Sequence, residues 1–375
     1  MGSAQRSRRG RFKEPFEGSC LIILAAAGCV IPSPPSDEIV KEVPAGTENP
    51  PLRAAAEAAH RRIGTALMSA RLDDPAVRAL VARQFDSLSP ENEMKWELVE
   101  PRPGVFAFAG GDRLVAFAKA NGLRMRGHTL VWHSQMAGWA RHLHGADLSK
   151  AMASHIAGVA GHWRGQIGAW DVVNEALADG SGGGLRADSP FTALGPDFID
   201  EAFRLAHQAD PDAKLFYNDY EIEGIGVPKS EAAYQLCKRL KEAGVPIDGV
   251  GFQMHVDPRH WPTPQAIRAN IARYGALGLT VEFTEMDVPV GQLPGDAQRK
   301  LQRQQQIAHD IVATCVAEPA CSAVTFWGLT DRDSWLNDPH WGKLRGEGPH
   351  RPLLFDAKMS PKPIIQGVLD AFAGR

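Results

Sequence analysis

Trp170-Asp171-Val172-Val173-Asn174-Glu175-Ala176 reads as the end of a buried strand. Residues 169–173 are short, mostly apolar and partly β-branched, the composition of a strand covered on both faces. The run then stops at an amide and a carboxylic acid, Asn174-Glu175, and passes into a glycine-rich loop over 179–184. The same design recurs 110 residues later in Leu279-Thr280-Val281-Glu282-Phe283-Thr284-Glu285-Met286-Asp287. Glu175 and Glu285, at the ends of two buried strands, are a candidate acid and nucleophile pair.

Outward from these two stretches the chain alternates short apolar runs with helical patterns. Strands are expected at 63–68, 85–89, 124–131, 169–174, 214–218, 249–255, 279–285 and 324–328. Helices are expected at 75–85, 112–121, 148–163, 198–209, 230–243, 264–277, 297–316 and 363–372. Eight β-then-α units predict an α/β protein, a single-domain (β/α)8 TIM barrel over 52–375. A doubly wound open sheet is the structural rival. Polar chemistry decides between them: His128, Asn174-Glu175, Asn218-Asp219, Gln253 with His255, Glu285 and Trp327 lie at or near strand ends. A barrel gathers those ends on one face, where such proteins hold their sites.

Bulk properties narrow the function. The chain has 375 residues, 44% hydrophobic and 23% charged, with net charge −3. A mildly acidic body speaks against a nucleic-acid partner. Nine tryptophans against four tyrosines suit stacking on the flat faces of sugars, although tryptophan also fills cores. Basic residues from Arg6 to Lys13 precede a short apolar run, Cys20 to Ile31, so residues 1–30 read as an export signal. That run is too short for a transmembrane helix, which needs about 20 residues. Ala26-Ala27-Gly28-Cys29 matches a bacterial lipoprotein cleavage site, with Cys29 as lipid anchor; an ordinary signal peptide cut nearby is the alternative. Residues 31–51 hold six prolines and read as an extended tether. The protein is therefore expected to be exported, secreted or periplasmic, or membrane-anchored as a lipoprotein, and to work as a monomer. Cys237 falls in a helical pattern and reads as a buried thiol. Cys315 and Cys321, six residues apart, can close a small disulfide loop in an exported protein.

Splitting a glycosidic bond needs an acid to protonate the leaving oxygen and a carboxylate on the opposite face of the ring. Glu175 and Glu285 suit those roles. Asn174 can bond the sugar 2-hydroxyl. His255 can hydrogen-bond Glu285, with Asp287 behind it as orienting partner. A single strand-end glutamate is ordinarily a salt-bridge or loop residue; two in matching contexts, one after asparagine, are not. His128 and His133 lack any His-Glu-x-x-His pattern, so no metal is expected, and no cofactor. No Gly-x-Ser-x-Gly elbow is present for a serine hydrolase.

The chain resembles the family 10 glycoside hydrolases, mostly endo-β-1,4-xylanases, over about 55–374. The likeness rests on Pro90-Glu91-Asn92-Glu93-Met94-Lys95-Trp96, on the 127–135 run from Gly127-His128 to Ser134-Gln135, and on Trp170 to Ala176. It continues through Tyr217-Asn218-Asp219-Tyr220, Gly251-Phe252-Gln253-Met254-His255, Thr284-Glu285-Met286-Asp287 and the stretch from Phe326-Trp327 to Ser334-Trp335. The resemblance implies a retaining double displacement on xylan and xylo-oligosaccharides, with Glu175 as acid/base and Glu285 as nucleophile. It implies that Glu91, Asn92, Lys95, His128, Trp132, Gln135, Asn174, Gln253, His255, Trp327 and Trp335 line the glycone side, and that Tyr220 stacks on the aglycone side. It also implies the Cys315–Cys321 disulfide. Residues 188–195 depart from the family by lacking the aromatics expected on its aglycone side, which leaves the preferred chain length open. A β-1,4-glucanase with the same machinery and a non-catalytic xylan-binding barrel are the rival readings.

Overall fold

The computed structural model describes residues 50–180, 183–343 and 349–375. The export segment and nearly all of the proline-rich tether lie outside the described residues. Eight strands follow one another: β1 Arg62–Leu67, β2 Ser87–Pro90, β3 Arg124–Trp132, β4 Ala169–Asn174, β5 Lys214–Asp219, β6 Gly249–Phe252, β7 Thr280–Met286 and β8 Cys321–Phe326. Each pairs in parallel with the next, and β8 closes on β1 through Ile63 opposite Val324, so the sheet is a closed barrel. Parallel neighbours need a crossover, and right-handed helical returns place the helices outside the sheet.

Those helices begin where the chain supplies caps. Asp74, Thr263 and Asp296 each accept a hydrogen bond from a first-turn amide of the helices Pro75–Gln84, Pro264–Ala276 and Ala297–Ala317. The first two also carry proline in the first turn, where its missing N–H costs nothing. Among the described residues no helix is long and apolar enough to cross a membrane.

Several details depart from the sequence reading. A short helix, Leu52–Ala58, precedes β1 and buries Leu52 and Ala56; its alanine-rich run has too few apolar residues to show a period. β6 stops at Phe252 rather than reaching His255, because Met254 turns into the left-handed region at φ 59°. β8 begins at Cys321 and ends before Trp327, two to three residues earlier than expected. Cys315 and Cys321 are disulfide-bonded, tying the end of the preceding helix to the start of β8. Cys237 is a buried free thiol.

The barrel interior is not apolar throughout. Arg126 of β3 is buried and grips Asp171 of β4 with both Nε, at 3.1 Å, and Nη2. Its Nη1 donates to Glu282 of β7 at 2.8 Å, and Arg124 donates to the other Glu282 oxygen at 2.7 Å. The Arg126 guanidinium also lies over the Phe216 ring, 4.6 Å from its centroid. Burial opposes ionisation of Asp171 and Glu282. The adjoining guanidinium charges overcome it, and both carboxyls sit below their ordinary range. These alternating charges fill the space below the cleft.

Candidate active site

A cleft of about 900 Å³ opens at the carboxyl ends of the strands. The barrel's hydrogen-bond ladder runs on past the strands into it. Glu175 N–H donates to Asn218 O at 2.9 Å, Gln253 N–H to Asp219 O at 3.0 Å, and Glu285 N–H to Gln253 O at 3.0 Å. Three functional side chains therefore hang from one continuous rim. Glu175 itself has φ 54°, and Gln135 and Glu221 are also left-handed, at 45° and 58°. Non-glycine residues rarely hold that conformation, and in folded proteins it gathers at functional sites.

All fourteen lining residues anticipated from the sequence face this cleft. Glu285 accepts from Asn218 Nδ2 at 2.7 Å and meets His255 Nε2 at 3.3 Å. Glu175 accepts from Trp132 Nε1 at 2.8 Å and Gln253 Nε2 at 2.9 Å on its two oxygens. Asn218 Nδ2 also donates to Asn174 Oδ1 at 2.8 Å, while Asn174 Nδ2 reaches Glu175 Oε1 at 3.2 Å. A chain of amides thus joins the two carboxyl groups across β4, β5 and β7. Gly251 makes room for it: a Cβ there would sit 2.0 Å from Asn218 Oδ1.

His255 is the electrostatic partner of Glu285. Its Nδ1 lies 2.8 Å from Asp287 Oδ2, an oxygen that also accepts Trp335 Nε1 at 2.7 Å. Burial works against an imidazolium, but the Asp287 and Glu285 carboxylates overcome it and raise the His255 pKa from 6.5 to about 10. Burial likewise works against an ionised Glu285, and the His255 hydrogen bond with the nearby His128 and His255 charges holds its pKa below the ordinary value. Glu285 is thus held ionised.

This pairing has a signature in stability. A histidine whose folded pKa is raised contributes stability that is complete below its unfolded value, 6.5, and is lost as pH climbs through about 10. In Asp287→Asn that loss moves to lower pH. The gap in thermal midpoint between the native chain and the variant is expected to narrow from about pH 7 to about pH 10. Thermal scans across that range check it, and a gap independent of pH would contradict the pairing.

One wall of the cleft is a polar grip. Lys95 Nζ donates to Gln135 Oε1 at 2.8 Å and Asn92 Oδ1 at 3.1 Å, and lies 5.1 Å from the Trp132 ring centroid. Burial lowers the Lys95 pKa and raises that of Glu91 to about 7. Trp327 meets the His128 ring edge-on at 5.1 Å, and Trp335 meets the His255 ring at 5.0 Å. His128 sits inside β3 rather than at its end, with Nδ1 3.0 Å from Asp171 Oδ2, which ties the cleft to the interior charge cluster. Trp139 lies away from the cleft, with Nε1 donating to Glu100 O.

Sequence reasoning missed several cleft residues: Ser134, Asp179, Arg186, Glu221, Asp338 and Trp341. His133, for which the sequence reading found no metal-ligand pattern, lines the cleft as well. Arg186 brings a guanidinium nitrogen to 4.0 Å from Glu175 Oε2. The charged residues bracketing the glycine tract after β4 were a usable signal; the stretch around Trp341 has no period to read.

Comparison with known proteins agrees with this geometry. The pattern of Glycosyl hydrolase family 10 matches residues 51–371, and the chain belongs to that family. A β-1,4-xylanase of Dictyoglomus thermophilum is 41% identical over 293 residues, 76% of this chain and 81% of that protein. Endo-1,4-β-xylanase B of Thermotoga neapolitana is 38% identical over 328 residues, 85% of this chain and 90% of that protein. Among solved structures, xylanase 10B from Thermotoga petrophila RKU-1 in complex with xylobiose superposes with a TM-score of 0.80 at 38% identity, covering 88% of this chain and 99% of that one.

Proposed function

We propose that the protein is an endo-β-1,4-xylanase, cleaving internal bonds of xylan with retention of configuration. The observation that carries this reading is the amide chain joining Glu175 and Glu285 in one cleft, with Glu285 alone backed by an imidazolium. In the first step Glu285 attacks the anomeric carbon while Glu175 gives its proton to the departing oxygen. A glycosyl ester on Glu285 results, and the shortened chain leaves as an alcohol. In the second step Glu175, now a carboxylate, takes a proton from water as that water attacks the same carbon, releasing Glu285. Each carboxyl group ends as it began. Asn174 holds the sugar 2-hydroxyl, a contact that strengthens as positive charge develops on the ring. His128 and the Lys95 grip hold the glycone sugars, and Tyr220 faces the leaving chain.

Trp327 and Trp335 supply the preference for a pentose. Their bulk stands where a glucose unit carries its C6 hydroxymethyl group. Steric rejection of one small group is worth only about 10–200-fold. Aryl xylobioside is expected to exceed aryl cellobioside in kcat/KM by about that factor, and reducing ends should appear from internal cleavage of xylan. Equal turnover of the two aryl glycosides would replace this reading with a β-1,4-glucanase; binding to xylan without turnover would replace it with a carbohydrate-binding barrel. The basic and apolar amino-terminal segment and the Cys315–Cys321 bond support action outside the cytoplasm.

A further inference from the structure

Beneath Tyr220 lies a buried ammonium that the mechanism does not use. Lys229 is 1% exposed. Its Nζ lies 3.0 Å from Asp219 Oδ1 and 3.1 Å from Asp179 Oδ1, and 3.3 Å from the centroid of the Tyr220 ring. The same groups bind one another. Asp219 accepts the Tyr217 hydroxyl and the Tyr220 backbone N–H, the latter at 2.9 Å. Asp179 accepts the Tyr220 hydroxyl, and its other oxygen takes Arg186 Nη2 at 3.1 Å. The end of β5, the loop after β4 and the first turn of the helix Pro228–Glu242 therefore meet on one charge.

Stability does not account for a lysine here. The first turn of a helix is the unfavourable end for a cation, and a buried ammonium forfeits its hydration. Apolar groups in place of the lysine and its carboxylate partners together would be at least as stable. An ammonium does what a methyl cannot: it fixes an aromatic face and two carboxylates together.

We propose that Lys229 is a positioning residue for the leaving-group side of the cleft. It sets the plane of Tyr220 and pins the Asp179 loop, so that the β-1,4-linked pentoses beyond the scissile bond meet a preformed platform. Preformation lowers the ordering cost of binding and appears chiefly as a lower KM for substrates that reach this side. The inference rests on the xylanase reading. Burial raises the Asp219 carboxyl to about 7 even beside Lys229, so a chain without the ammonium can discharge Asp219 by taking up a proton and still fold.

The test compares xylopentaose, which occupies both sides of the cleft, with aryl xylobioside, which places no sugar beyond the scissile bond. In Lys229→Met the ratio of kcat/KM for xylopentaose to that for aryl xylobioside is expected to fall about tenfold, with the loss in KM. The double variant Lys229→Met with Asp219→Asn, which leaves no stranded carboxylate, should show the same fall and carries the test if the single variant does not fold. An unchanged ratio in a folded variant, or a fall confined to kcat on both substrates, overturns the proposal. Absence of aryl xylobioside turnover in the native chain would instead sink the xylanase reading itself.

Discussion

Glu285→Ala is expected to be silent on every β-xyloside, activated aryl xylobiosides included, with kcat lower by roughly 10⁵-fold or more. An activated leaving group removes the need for an acid but not the need for a nucleophile. Among the described residues no other carboxylate lining the cleft is paired with His255. Glu285 is the carboxylate held ionised by His255, and His255 is in turn held charged by Asp287. Alanine removes the attacking oxygen and leaves the imidazolium facing a vacated space. Steady-state turnover of an activated aryl xylobioside checks this. Retention of more than a few per cent of native kcat would mean that the ester forms elsewhere or not at all.

Glu175→Ala should behave differently. Protonation of the departing oxygen and deprotonation of water are each worth about 10²–10⁴-fold. The first matters little for an activated aryl leaving group, and the second always matters. On such substrates the variant is expected to release one equivalent of aryl alcohol quickly and then stall, the ester on Glu285 waiting for a base. On xylan, whose leaving group is a poor one, both steps slow. Azide needs no base and is small enough for the space that alanine opens. It should restore turnover and give the β-glycosyl azide, because it attacks an α-linked ester from the opposite face. An α-azide would reverse the two roles.

The barrel is legible in the sequence because each strand is a short apolar run followed by a helix of ordinary length. Closure explains why so many polar residues stand at strand ends. Glu175 and Glu285 are legible for the same reason: each ends a buried strand in a matching context. Residues placed by the third dimension are not legible. Arg126, Asp171 and Glu282 interrupt three separate strands and look like isolated polar defects until the sheet closes and brings them together as an ion cluster. Asn218 shows itself as strand-end chemistry, but not as the link between two carboxyl groups, which depends on the bare backbone at Gly251. The left-handed turns at Gln135, Glu175 and Met254 carry no glycine and leave no mark in propensity. Met254 is also why the end of β6 is misplaced by the sequence reading. Lys229 falls just before the helix expected at 230–243, and only packing reveals that it lies in the helix's first turn under Tyr220.

Covalent trapping tests the division of labour between the two glutamates most directly. A 2-deoxy-2-fluoro xylobioside with an activated aryl leaving group slows both steps, because fluorine disfavours positive charge on the ring, while the good leaving group keeps the first step moving. The ester then accumulates. Mass spectrometry of a proteolytic digest should find the fluoroglycosyl mass on the peptide containing Glu285 and none on the peptide containing Glu175. Label on Glu175, or no label with full activity retained, would contradict the account.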